Sequence, residues 1–98
     1  MFVHSVYFWL KNSLSDEEVR TFREGLHSLE GIEVSRATYV GVPANTDRPV
    51  IDRSYSFALT VLFDDLAGHD AYQVHPVHKA FVQTYAGYWD RVVIYDAE

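Results

Sequence analysis

Phe2 to Leu10 reads Phe-Val-His-Ser-Val-Tyr-Phe-Trp-Leu, a strand's length of β-branched and aromatic residues stopped by the polar Lys11-Asn12-Ser13. Side chains alternate along a strand, so Phe2, His4, Val6 and Phe8 share one face and Val3, Ser5, Tyr7 and Trp9 the other. Both faces are largely apolar. Such a strand has to be covered twice, either in the middle of a layered fold or in an assembly that hides its second side.

The rest of the chain supplies partners in a definite order. Ser15 is placed as the N-cap of a helix, Glu18 closes a capping box, and Leu14 is set to staple onto Val19. Val19, Phe22, Leu26 and Leu29 form its apolar stripe, and Gly31 is read as its terminator. A second strand is expected from about Val34 to Val42, then a loop from Ala44 to Arg53 containing Pro49, Asn45 and two aspartates. Ser54 to Phe63 becomes continuously apolar, as a central strand does, with Tyr55, Phe57, Leu59, Val61 and Phe63 as its large set.

A short helix from about Asp65 to Gln73 follows, then a break at Pro76, because proline clashes with a preceding helical turn but suits the first position of a new one. The second helix runs to about Tyr85 with Gly87 as its stop, and Trp89 to Asp96 is the last strand. The order β-α-β-β-α-β predicts an α+β fold of ferredoxin-like type, a four-stranded antiparallel sheet with the helices on one face. The other face would carry Tyr7, Trp9, Leu62 and Val93, too much apolar surface to leave wet. A homodimer packed sheet on sheet is expected, with closure into a barrel as one form it could take. Residues 1–98 are expected to make one domain, without an internal repeat.

A net charge of −6 with no run of lysine or arginine argues against nucleic acid as a partner. The absence of cysteine removes disulfides, thiolate catalysis and thiolate metal sites. No stretch approaches the roughly 20 apolar residues of a membrane span, and no basic segment leads into an apolar run, so no membrane association and a cytoplasmic location are expected.

Histidine and tyrosine are left to carry any chemistry, and they cluster in Tyr72-Gln73-Val74-His75-Pro76-Val77-His78. Val74, His78, Phe81 and Tyr85 recur at helical spacing, which turns His78 toward the core. His78 could act as a general base on an acidic C–H, with Tyr72 donating to the carbonyl oxygen that gains charge. It could equally be a buried imidazole satisfied by its neighbours and serving the fold alone. His4 can reach the helix histidines if it shares their face. His75, ahead of proline, is expected to cap or brace the break. His4, His75, Phe57, Phe81 and Trp89 are the candidate substrate-binding residues for a small apolar or carbonyl-bearing ligand. A metal held by His75 and His78 with His4 or a carboxylate is disfavoured because Pro76 disturbs the helical spacing, so no metal and no cofactor are expected. His27 and His69 look exposed by helical phase. Asp64-Asp65 and Asp16-Glu17-Glu18 suit helix N-termini.

The opening Val3-His4-Ser5-Val6-Tyr7-Phe8-Trp9-Leu10-Lys11, the Tyr55-to-Phe63 strand, Tyr72-x-x-His75-Pro76-x-His78 with Phe81, and Trp89 to Asp96 together resemble the stress-responsive A/B barrel (Dabb) family of dimeric α/β-barrel proteins. The resemblance implies a homodimer whose two sheets form a barrel. The family includes plant stress proteins that assemble further and a plant polyketide cyclase that runs an intramolecular aldol reaction without metal or cofactor. In that cyclase a histidine and a tyrosine matching His78 and Tyr72 are catalytic, in a pocket between helices and sheet near the histidine matching His4. Here Phe57 and Leu26 stand in place of a histidine and a tyrosine, and Ala80 and Val82 in place of glycines, which implies a smaller pocket. Three classes stay open: a cofactor-independent lyase, isomerase or cyclase, a small-molecule binder, and a structural dimer.

Overall fold

The structure is a computed structural model that describes residues 1–98. Its elements are β1 (Phe2–Leu10), α1 (Asp16–Ser28), β2 (Ala37–Gly41), β3 (Phe57–Phe63), α2 (Leu66–Gln73), α3 (Pro76–Tyr85) and β4 (Trp89–Ala97). The sheet order is β2-β3-β1-β4 with every neighbouring pair antiparallel. This is the expected ferredoxin-like arrangement, with β1 at the centre between β3 and β4.

Local chemistry sets the helix starts. Ser15 Oγ accepts from the Glu18 amide at 3.1 Å while Glu18 Oε1 accepts from the Ser15 amide at 3.0 Å, the reciprocal capping box. The ends differ from expectation. Neither Gly31 nor Gly87 adopts a left-handed conformation; α1 and α3 tighten into single 3₁₀ turns at Leu29–Gly31 and Ala86–Tyr88. β2 is shorter than predicted, and β3 starts only at Phe57, leaving Tyr55 outside the ladder.

The alternation in β1 and β3 decides the core. Phe2, His4, Val6 and Phe8 are buried under the helices, as are Phe57, Leu59, Val61 and Phe63, while the intervening residues are half-buried. From α1, Phe22, Leu26 and Leu29 drop into this layer. Gly25 lets α3 approach, since a Cβ there would run into the Tyr85 ring.

On the opposite face β1, β3 and β4 present Tyr7, Trp9, Leu62, Val93 and Tyr95 with no helix above them. The Arg91 guanidinium sits 4.3 Å over the Trp9 ring, and Tyr7 meets Tyr55 edge-on at 5.1 Å. The inner face of β4 is only partly covered: Val92 and Ile94 are exposed beside α3.

Candidate functional site

The break between α2 and α3 positions the site. Asp65 caps α2 by accepting from the Gly68 amide at 3.0 Å. His75 takes an extended conformation, φ −63° and ψ 138°, because the ring of Pro76 disfavours helical geometry in the residue before it. Its Nδ1 accepts from the Val77 amide at 3.1 Å and caps α3, while its Nε2 lies 3.3 Å from Glu33. His75 is thus a cap and stands away from the interior. Val74, which helical spacing places on the inward stripe, lies in the break and is exposed.

Restarted at Pro76, α3 carries His78, Phe81 and Val82 along one wall of a cavity of about 190 Å³ between α3 and the sheet. His4, Trp89, Val92 and Ile94 are among its other walls, and Gln73 adds a third polar side chain. Of the residues singled out from the sequence, His4, His78, Phe81 and Trp89 line this cavity. Phe57 does not: it is core, tilted against Phe22 at 5.7 Å. Burial holds the His78 imidazole below the ordinary histidine pKa, the Gln73 backbone pulls the other way, and His4 and His69 push with burial. His78 is therefore neutral at neutral pH.

Tyr72 lies behind His78, their ring centres 4.9 Å apart, and is fully enclosed, with Phe63 edge-on at 5.2 Å. It does not line the cavity. Its hydroxyl is buried without a hydrogen-bond partner, and burial pushes its pKa far above the usual phenol value, so it stays protonated. An orphaned buried hydroxyl costs about 1–3 kcal/mol of stability. Tyr72→Phe is accordingly expected to raise stability by about 1–2 kcal/mol, read as a higher denaturation midpoint; a loss of stability would mean that the hydroxyl has a partner.

His4, opposite Asp96 in the β1–β4 ladder, brings its Nδ1 to 2.5 Å from an Asp96 carboxylate oxygen. Helical phase makes His69 look exposed, but its ring stacks on Phe2 at 4.7 Å and stands 5.2 Å from that of His4. Its side chain is only 15% exposed, and its Nε2 lies 3.8 Å from the second Asp96 oxygen. Residues from β1, α2 and β4 meet here, whereas His75 and His78 face different surroundings. Sequence period alone misses His69, because the aromatic at position 2 that covers it belongs to another element.

Residues 2–98 match the stress responsive A/B barrel domain family. No curated protein sequence matches the chain. Among solved structures, a Dabb-family protein of ferredoxin-like fold from Mesorhizobium loti is 28% identical, with a TM-score of 0.77 over 99% of this chain and 94% of that one. A dimeric protein of ferredoxin-like fold and unknown function from Bacteroides fragilis is 27% identical, with a TM-score of 0.75 over 99% of this chain and 94% of that one. The hydroxynitrile lyase of Passiflora edulis shares the fold at 17% identity, with a TM-score of 0.80 over 98% of this chain and 90% of that one. With the family match running from the first strand to the last and the fold in agreement, this chain is a member of the stress-responsive A/B barrel domain family.

Proposed function

We propose that the cavity binds a small, mostly apolar carbonyl compound and that His78 removes a proton from the carbon beside the carbonyl. The observation that carries this reading is a half-buried imidazole, its pKa lowered by burial, on the wall of an apolar cavity and backed by an orphaned phenol. In the step, the C–H bond breaks, its proton goes to His78, and its electron pair moves into the carbonyl to leave charge on oxygen. Tyr72, held protonated behind His78, is the donor proposed for that oxygen; reaching it requires the Tyr72 hydroxyl to move into the cavity wall beside the His78 ring. His4, Phe81 and Trp89 form the walls that hold the ligand. At about 190 Å³ the cavity is below the roughly 300–1,000 Å³ of drug-sized sites and selects a small molecule. Lyase chemistry in the Passiflora edulis protein fits the same fold, though at 17% identity it speaks to fold alone.

Binding without turnover is the second reading, favoured by the enclosure of Tyr72 away from the cavity. One experiment separates the two: incubate the protein with small aldehydes and ketones in heavy water, and follow both binding and loss of the α-proton by NMR. Turnover predicts that His78→Ala slows exchange about 100-fold or more while binding and fold persist. Ligand bound by the unaltered protein without exchange would establish a binder, and no binding would sink both readings.

The pH dependence has a definite sign. The folded pKa of His78 lies below its unfolded value, so the exchange rate should hold as pH falls to about 6.5 and drop only below that. The contribution to stability follows the same course, present above the unfolded pKa and lost as pH falls through the folded one.

The bare sheet face supports a homodimer through the sheets. The dimeric Bacteroides fragilis relative supports self-association, and the apolar Tyr7, Trp9, Val93 and Tyr95 supply the surface that a facing sheet would cover.

A further inference from the structure

We infer that His4, His69 and Asp96 form a binding site for a divalent transition metal of the zinc, cobalt or nickel class, independent of whether the cavity turns over a substrate. One ring nitrogen from each of His4 and His69 and one Asp96 carboxylate oxygen all lie within 4.8 Å of one another. Two imidazoles and one carboxylate are the donor set that borderline cations take, whereas magnesium and calcium prefer oxygen alone.

A second observation concerns the outer partners. Asp70 stands 3.1 Å from His69 Nδ1, where it accepts the ring N–H and leaves the Nε2 lone pair directed toward Asp96. The Gln73 amide, 3.4 Å from the same Nε2, is compatible with that tautomer and is too long a contact to hold the lone pair against a cation. A carboxylate behind a histidine is how metal-binding imidazoles are oriented. Phe2, stacked at 4.7 Å, and Phe63, edge-on at 5.9 Å, fix the ring plane from the apolar side.

His4 is oriented as firmly, since it is buried in β1 and its ladder partner is Asp96 itself. Its Nδ1 is 2.5 Å from Asp96, whereas two ligands of one tetrahedral ion sit roughly 3.4 Å apart. Loading therefore replaces the proton between them: neutral His4 carries its proton on Nε2, and the Asp96 side chain, 37% exposed, swings outward by the difference. Three protein ligands leave a further coordination position for water on the exposed Asp96 side.

The test is titration of ZnCl₂ into the chelator-stripped full chain by calorimetry, with CoCl₂ added separately to read the d–d absorption of the bound ion. One zinc per chain is expected, with a rise in thermal midpoint that MgCl₂ does not give. His69→Ala and Asp96→Asn should each weaken zinc affinity at least about 10-fold, in line with loss of a ligand or of its support. His27→Ala, at an exposed histidine paired with Glu30, should leave it unchanged. Should Asp96→Asn unfold the chain, His69→Gln, which removes the imidazole ligand and leaves a side chain of similar size, decides instead. No saturable binding, or binding that survives loss of His69, overturns the site; a cobalt spectrum of the fully hydrated ion does the same.

Discussion

Phe22→Ala is expected to destabilise the protein by about 3–5 kcal/mol, the range for deleting a buried aromatic from a core that cannot collapse onto the space. Phe22 is fully buried and its ring lies within 6.2 Å of six other aromatic rings, those of Phe8, Phe57, Phe81, Tyr85, Tyr88 and Trp89. These come from β1, β3, α3, the turn after it and the start of β4, so the void would be shared by most of the fold. For a chain of this size each kcal/mol moves the thermal midpoint by roughly 4–8 °C, and a fall of about 12–40 °C should appear at fixed protein concentration. Val74→Ala is the contrast: its side chain is exposed in the helix break, and a change within about 0.5 kcal/mol is expected. Equal losses from the two substitutions would mean that Val74, and not the break, completes the inner stripe.

Val93→Glu is expected to convert the proposed sheet-on-sheet homodimer into a monomer that keeps its fold. Val93 pairs with Tyr7 on the face without helices, where Tyr95 and Arg91 are its neighbours along β4. In an isolated chain the new carboxylate would meet water and the Arg91 guanidinium. In a sheet-on-sheet dimer it would be buried without a partner, which weakens association by about 2.8 kcal/mol, or 100-fold in Kd, at the least. Sedimentation across a concentration series reads this directly, and circular dichroism checks the fold. A matching Val82→Glu change at the cavity mouth, on the helix side, should leave the dimer intact. If Val82→Glu dissociates the protein and Val93→Glu does not, the interface lies along α3 and β4 and the sheet-face reading fails.

Local pattern carried much of this protein into view. The alternation in Phe2 to Leu10 set which side chains of β1 are buried, the Ser15–Glu18 box set the start of α1, and Pro76 set the start of α3 with His75 as its cap. Each of these depends on backbone chemistry within a few residues, so the sequence alone determined the order of elements and the inward faces of β1, β3 and α1. It also brought His78 to the interior, because Phe81 one turn later anchors the same side of α3.

The tertiary structure alone decided where residues from different elements meet. His69 is sheltered only because β1 runs beneath α2 and offers Phe2. His4 finds Asp96 only because β4 takes the place beside β1 in the order β2-β3-β1-β4. Tyr72 loses its partner because Phe63 and His78 close over it from separate elements, while Val74 leaves the stripe because the break interrupts the helical period. Periodicity describes the direction of a side chain within its own element and holds no information on the distance between elements. The cavity beside His78 and the His4–His69–Asp96 cluster are both products of that distance.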